Sequence, residues 1–441
     1  MTKVTNSREI VLDVLLEILE RGNLSHLVLK QALGKYQYLE KQDRAFITRL
    51  TEGTLEYLIQ LDAVLDQFSK VKVKKMKPVV RTILRMSVYQ LLYMERVPDS
   101  AVCNEAVNLA KKRKFQELSG FINGVLRAIA RKKDSLVFSE PHIRLSLPQW
   151  MLSMWEESYG KETAERIGAA FLAERPLTVR CNETRALVEK TAKDLKAQGI
   201  QVEQSLFGTA ILNIRGYDYL EQVEAFRDGR ITVQDESSAL AGLVSGVKPG
   251  DFVLDVCSAP GGKALHGADL LKGTGMVEAR DLTEYKISLV EENILRCGFQ
   301  NIRTKVWDAA VFDPSMEEKA DVVFADLPCS GLGIIGKKPD IKIRLKEEEL
   351  LNLAALQREI LQVVSRYVKP GGVLLYSTCT IDRMENEENA DWILRELPFK
   401  KKSIAASLPE FLRKDCKENQ IQLLPGIHPC DGFFIAAFEK E

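Results

Sequence analysis

Histidine is scarce in this chain, with four in 441 residues, and no two of its eight cysteines form a C-x-x-C pair. Cys103, Cys181, Cys257, Cys297, Cys329, Cys379, Cys416 and Cys430 follow no regular spacing. That pattern predicts no metal site and, in a chain this long, no disulfide framework. Each thiol is then either a small buried hydrophobe or a reactive group. No uncharged apolar run is long enough to cross a bilayer. The start of the chain, Met1 to Arg8, leads into apolar residues broken by Asp13, Glu17 and Glu20. Such a pattern fits an amphipathic helix and not a signal peptide. With no low-complexity tract to argue for disorder, the expectation is a soluble cytoplasmic protein of two or three domains.

Net charge is missing too, since 62 Lys/Arg balance 62 Asp/Glu. The balance is uneven along the chain. Lys70 to Lys133 holds sixteen Lys/Arg against four Asp/Glu, a local excess of twelve. Basic charge gathered in one region is the electrostatic footprint of phosphate-backbone contact. The runs Lys70–Lys77 and Lys111–Lys114 are its densest parts, although a solvated helix face explains either run alone equally well.

Apolar residues recur at helical spacing from residue 1 to about 135, as in Ile10, Val11, Val14, Leu15 and Ile18. Pro98, Asp99 and Ser100 are expected to stop one helix and cap the next. Between about 140 and 230 the reading is a small α+β unit, with strands at Pro176–Cys181 and Ala210–Ile214 around a helix at Thr184–Gln198. Strand, turn and helix then alternate. Strands are expected at 252–254, 275–280, 301–306, 321–325, 372–377 and 432–438, with helices at 264–271, 285–296 and 347–368. This alternation predicts a mostly parallel sheet covered on both faces.

Chemistry concentrates at the ends of those strands. Asp255 and Val256 lead into Cys257, Ser258, Ala259, Pro260, Gly261, Gly262 and Lys263. Paired glycines after a first strand let a ligand approach the backbone at the switch point of an open sheet. A P-loop is excluded, because it needs glycine where Cys257 stands and Ser or Thr where Ala264 stands. Alone, the turn reads equally well as a tight strand-to-helix connection. Asp281, Asp308 and Asp326 follow the next three strands and are expected to open on the same edge. An acid in the first of these positions can accept both ribose hydroxyls, and one in the second can meet an adenine amino group. Three such acids with a Gly-rich turn point to a nucleoside cofactor that lacks a pyrophosphate.

The segments Cys257–Lys263, Asp326-Leu327-Pro328-Cys329-Ser330-Gly331 and Tyr376-Ser377-Thr378-Cys379-Thr380 resemble the cofactor-binding and catalytic motifs of the RNA cytosine-5 methyltransferases. Val233–Ser238, Lys338–Lys342 and Asp431–Ala436 extend the match. Gln42–Phe46, Val97–Val107 and Phe121–Arg127 resemble the NusB-type helical RNA-binding fold. Leu327, Gly336, Arg383 and Met384 depart from the usual pattern. The combination is similar to bacterial enzymes of small-subunit ribosomal RNA and implies a multidomain chain. An all-α NusB-like domain would occupy 1–138, a small α+β unit 139–232, and a Rossmann-like α/β methyltransferase domain 233–441.

The resemblance implies S-adenosyl-L-methionine as cofactor, held by Cys257 to Lys263, Asp281, Asp308 and Asp326. It implies 16S rRNA or a small-subunit assembly intermediate as partner, with no membrane and with a monomer as the default. Cytosine C5 is too weak a nucleophile to take a methyl group until a thiolate adds at C6. The resemblance assigns that attack to Cys379, release to Cys329, and N3 to Asp326, which must be protonated or share a proton to act. Lys263 is left free to contact either ligand. Four rivals stand beside this reading: Cys329 as nucleophile, as in DNA cytosine-5 methyltransferases; amino-group methylation, against which Asp326–Cys329 lacks a base-stacking aromatic; action on another RNA such as tRNA; and a non-enzymatic RNA-binding scaffold.

Overall fold

A computed structural model describes residues 6–441, so Met1 to Thr5 of the expected leading helix lie outside the described residues. The chain divides into two compact units. One comprises the chain up to Ala173 together with Ile335–Leu345, and the other Glu174–Ile334 with Lys346–Glu441.

The first unit is helical. Asn6 opens the helix Ser7–Leu19, its side chain accepting from the Arg8 amide at 2.9 Å and so satisfying one of the free donors of a helix start. Ile10, Val11, Val14, Leu15 and Ile18 are buried as their spacing predicts. Helix Pro78–Tyr93 is buried on most of its faces, the mark of a central helix. Pro98 does precede a helix, Asp99–Lys112. Asp99, however, lies in its first turn and pairs with Lys133 at 2.8 Å instead of capping.

The basic stretch Lys70–Lys77 interrupts the helices. Val73 and Met76 are buried and pin a short 3-10 turn, while Lys70, Lys72, Lys74, Lys75 and Lys77 are exposed. The second basic run is partly neutralised, since Lys112 pairs with Glu9 and Arg113 with Asp13. The unit continues past the expected edge near residue 138, through helices Gln149–Tyr159 and Lys161–Phe171. It also reclaims the segment that contains Lys338 to Lys342. There Asp340 accepts from the Ser25 hydroxyl, and the Lys342 ammonium donates to the Glu56 carbonyl. Burial lowers the Lys342 ammonium to about 7 against the opposing pull of Glu56.

The second unit holds two sheets. Strands β1 (Leu177–Cys181), β2 (Gln201–Gln204), β3 (Ile211–Arg215) and β4 (Ile231–Val233) pair antiparallel in the order β2-β3-β1-β4. The helix expected from Thr184 begins instead at Val188. Thr184 is held outside it by Asp269, whose carboxylate accepts from its amide at 2.9 Å.

The larger sheet contains β5 (Phe252–Asp255), β6 (Met276–Asp281), β7 (Ile302–Val306), β8 (Ala320–Asp326), β9 (Val368–Thr378), β10 (Phe399–Lys401), β11 (Gln420–Leu423) and β12 (Phe433–Lys440). Its order is β10-β12-β9-β8-β5-β6-β7, with β11 paired to β12. Strands β5 to β9 pair parallel to their neighbours, and β12 runs antiparallel against β9. The residues of β5 and β8 are almost all buried, as a sheet covered on both faces requires. The chain builds outward from β5 through β6 to β7, then returns to β8 on the other side. The carboxyl ends of β5 and β8 therefore flank the switch point, where ligands of open α/β sheets bind. No helix among the described residues is long and apolar enough to cross a membrane.

Candidate active site

The turn after β5 is tied down by its own backbone. The Ser258 amide donates to the Arg280 carbonyl at 2.8 Å, and the Gly261 amide to the Ser258 carbonyl at 2.7 Å. Gly261 has φ +108°, a conformation that strains any residue with a Cβ, and it starts the helix Gly262–Leu270. That helix is anchored at its far end. Buried Arg180 of β1 pairs with Asp269 at 3.1 Å and donates to Gln234 at 2.8 Å.

Lys263, in the first turn of this helix, is nearly buried, and its ammonium lies 2.6 Å from Asp326 at the end of β8. The same ammonium donates to the Ser238 hydroxyl at 3.0 Å and sits 4.9 Å from the centre of the Phe433 ring. Ser377 of β9 donates to the other Asp326 oxygen at 2.9 Å. The carboxylate expected to need a proton is thus paired with an ammonium, a juxtaposition of residues 63 positions apart.

Cys329 and Cys379 meet beside this pair, their sulfurs 3.3 Å apart, and both are half-buried. The Gly333 amide donates to the Cys379 carbonyl at 3.0 Å, and the Gly432 amide to the Gly333 carbonyl at 2.8 Å. A Cβ on Gly333 would lie 2.0 Å from the Gly432 carbonyl oxygen, so only glycine permits this approach. The Cys329 thiol is pushed well above its ordinary value, first by its hydrogen bond with Cys379, then by burial and by the charge of Glu385. Cys257 is raised as well, by burial and by Asp281, Asp255 and Asp326.

The strand-end acids divide. Asp281 is buried and accepts from the Ala259 amide at 2.9 Å, the Leu282 amide at 2.8 Å and Lys286 at 2.9 Å. Asp308 follows the outermost strand and is exposed, and its carboxylate accepts from the Ala310 amide at 2.9 Å. Asp255, absent from the sequence-based site although it begins the motif, is the buried acid at the centre. Its buried carboxylate oxygens make no hydrogen bond of good geometry, with the Ser258 hydroxyl and the Cys257 amide as the donors beside them. Orphaned polar atoms at a switch-point turn suit a ligand with a cationic, hydrogen-bonding group, as the amino acid end of S-adenosylmethionine has. The other residues missed by sequence reading were Ser238, Ser377 and Phe433. Ser238 and Phe433 lie inside segments that carried the resemblance, and Ser377 within the cysteine motif itself.

Burial, and secondarily Asp326, push the Asp255 carboxyl up to about 7. The folded protein then binds this proton more tightly than the unfolded chain, and its contribution is lost as pH rises through about 7. At about 1.4 kcal/mol per unit, the charged form costs up to about 4 kcal/mol at pH 8. Asp255→Asn is therefore expected to melt higher than the parent at pH 8, with the difference gone by pH 4. Equal shifts at both pH values in calorimetry would show that Asp255 is not the titrating group.

An open α/β sheet with a Gly-rich turn, a buried acid after the second strand and an ion-paired acid after the fourth defines an S-adenosylmethionine-dependent methyltransferase. Comparison with known proteins narrows the class. Residues 244–439 match the model of the 16S rRNA methyltransferase RsmB/F, residues 5–131 that of the NusB family, and residues 147–216 that of an RsmF/B-like ferredoxin-like domain. The probable ribosomal RNA small subunit methyltransferase B of Bacillus subtilis is 37% identical, with 100% of both chains covered. The ribosomal RNA small subunit methyltransferase B of Vibrio vulnificus is 30% identical over 99% of this chain and 100% of its own. The crystal structure of PH0851 superposes with a TM-score of 0.83 at 27% identity, covering 100% of each chain. NSun6 from Pyrococcus horikoshii, solved with SFG, shares the fold over 66% of this chain and 98% of its own, at a TM-score of 0.60 and 22% identity. The chain belongs to the 16S rRNA methyltransferase RsmB/F family. Its fold is that of a NusB-like domain, a ferredoxin-like small domain and a methyltransferase domain, and its cofactor is S-adenosylmethionine.

Proposed function

We propose that the protein methylates C5 of a cytosine in 16S rRNA through a covalent bond between Cys379 and C6. The observation that carries this reading is the pair of sulfurs 3.3 Å apart, next to the Lys263–Asp326 ion pair. The Thr378-Cys379 motif at the end of β9 favours Cys379 for attack and leaves Cys329, beside it, to assist release.

Addition of the Cys379 thiolate to C6 drives charge onto N3 and O2 of the ring. Asp326 faces N3, and the proton this step demands is available on Lys263, 2.6 Å away. S-adenosylmethionine, when bound, supplies the electrophilic methyl group for C5. Cys329 then passes its thiol proton to the departing Cys379 sulfur, 3.3 Å away, and takes the C5 proton in its place. The N3 proton returns through Asp326 to Lys263, the C6–S bond breaks and the aromatic ring is restored. Asp255, Cys257 to Lys263 and Asp281 hold the cofactor. Asp308 would reach the adenine amino group only from an exposed loop. A cytosine must leave its stack to reach both sulfurs, so the target is a single-stranded or flipped base.

Transfer of labelled methyl to unmethylated 16S rRNA, with the product mapped by bisulfite sequencing, tests the reading. Label on a base other than cytosine would refute it. A non-enzymatic scaffold would shift RNA in a gel and transfer nothing, and preference for tRNA would move the assignment to another substrate. The family match favours ribosomal RNA, and a cytoplasmic location follows from that substrate.

The exposed lysines of the 70–77 stretch are the better of the two basic runs for gripping phosphates, because Lys112 and Arg113 are engaged with acids. Each phosphate contact to a single strand contributes about 0.7 to the slope of log affinity against log salt. Replacing Lys74, Lys75 and Lys77 by glutamine should therefore lower that slope by about 2. An unchanged slope would place the RNA elsewhere.

A further inference from the structure

Behind the two thiols lies a buried polar cluster that no step above uses. The loops that carry Cys329 and Cys379 are separated by 50 positions, and their mutual geometry is set from one side by a single carboxylate. Glu385 is fully buried. One of its oxygens accepts from the Ser330 amide at 3.0 Å and from the Gln357 side-chain amide at 2.8 Å. The same Gln357 nitrogen donates to the Pro328 carbonyl at 2.9 Å. Cys329 is thus clasped on both flanks, by its predecessor's carbonyl and its successor's amide.

The clasp extends to the other loop. The Ser330 and Thr380 hydroxyls lie 2.6 Å apart, and Thr380 follows Cys379 directly. Gln357 is oriented in turn by Asn389 at 2.8 Å and by the Tyr376 hydroxyl at 3.1 Å, and Tyr376 also donates to the Glu385 carbonyl. Gln357, Tyr376, Thr380 and Asn389 are all buried. A fully enclosed carboxylate is costly unless its bonds are made. Those of Oε2 are made to the backbone on one side of one thiol and, through Ser330, reach the neighbour of the other, while the buried Oε1 makes no hydrogen bond of good geometry.

We propose that Glu385 is a positioning residue that sets the Cys329–Cys379 spacing and holds Cys329 in its releasing role. This inference rests on the division of labour between the thiols proposed above. Glu385 acts through Ser330 and Gln357, and by way of them on Pro328 and Thr380. Burial raises the Glu385 carboxyl against the hydrogen bonds from Ser330 and Gln357, and in its charged form it faces Cys329. The titratable groups that face Cys329 are Cys379, Glu385 and the Tyr376 phenol, and Asp382 faces Glu385 in turn.

Two readouts on the full-length enzyme test the role. The first is steady-state turnover of Glu385→Gln and Glu385→Ala. A displacement of the reacting atoms by about 1 Å costs about a hundredfold in rate, so kcat should fall by about ten- to a hundredfold. KM for RNA and the affinity for S-adenosylhomocysteine should stay within about twofold of the parent. The second is the pH profile of iodoacetamide alkylation at Cys329, followed by mass spectrometry without RNA. Removing the Glu385 charge should move its midpoint to lower pH in both variants. Glu385→Gln keeps the side-chain volume, so the test survives if the alanine variant fails to fold. Parent-like kcat in Glu385→Gln overturns the proposal whatever the alkylation profile does, and an unmoved profile overturns the electrostatic half. Should Cys379→Ala retain full turnover, the covalent reading falls instead, while the alkylation result still reports on Glu385.

Discussion

Cys379→Ala should transfer no measurable methyl group to 16S rRNA. Attack at C6 has no substitute once the thiol is gone, because C5 becomes nucleophilic only through that addition. Loss of a covalent nucleophile typically costs four to six orders of magnitude, roughly 10⁴-fold at the least. The substitution is small and the site half-buried, so the fold and the cofactor turn should survive it. Affinity for S-adenosylhomocysteine, measured calorimetrically, should match the parent. The contrast of lost transfer with retained cofactor binding separates a missing nucleophile from a collapsed site. Cys379→Ala with parent-like transfer would make Cys329 the attacking group, as in the DNA enzymes, and would reverse the roles of the two motifs.

The parallel core was readable because its strands lie between long helices and carry uninterrupted apolar residues. Strands β5 to β9 fall where alternation predicted them, within a few residues at most ends. Strands β2, β4, β10 and β11 were invisible for a physical reason. Each is short and lies at or near a sheet edge, where β2 in particular is largely exposed and has no apolar face to reveal a period. The glycine turn and the two cysteine motifs could be read as motifs because their residues are contiguous. Contacts between distant segments could not. Lys263 offered no sequence signal that it would sit on Asp326, and Glu385 in a run of acids reads as a solvated face until Gln357 and Ser330 are seen around it. Asp308 is the acid whose surroundings differ most from the strand-end expectation. Strand-end logic placed it with the other acids, but β7 is the outermost strand, and the loop after it turns to solvent.

Cys329→Ala is expected to halt the enzyme after methyl transfer, with protein bound covalently to methylated RNA. The alanine leaves Cys379 in place to attack C6 and leaves the cofactor turn intact, so the first half of the reaction proceeds. What it removes is a sulfur 3.3 Å from the reacting one, in a loop fixed by the Ser330 amide and the Pro328 carbonyl. Without that group, loss of the C5 proton and cleavage of the C6–S bond lack their assistant, and the adduct accumulates. Under denaturing electrophoresis, labelled methyl should migrate with protein, approaching one methyl per enzyme, while multiple turnover is lost. Addition of Cys379→Ala to Cys329→Ala should abolish the adduct, because the bond that is trapped is the one Cys379 forms. Free methylated product at the parent's turnover would remove Cys329 from the release step, and an adduct that persists in the double variant would show that a third residue forms it.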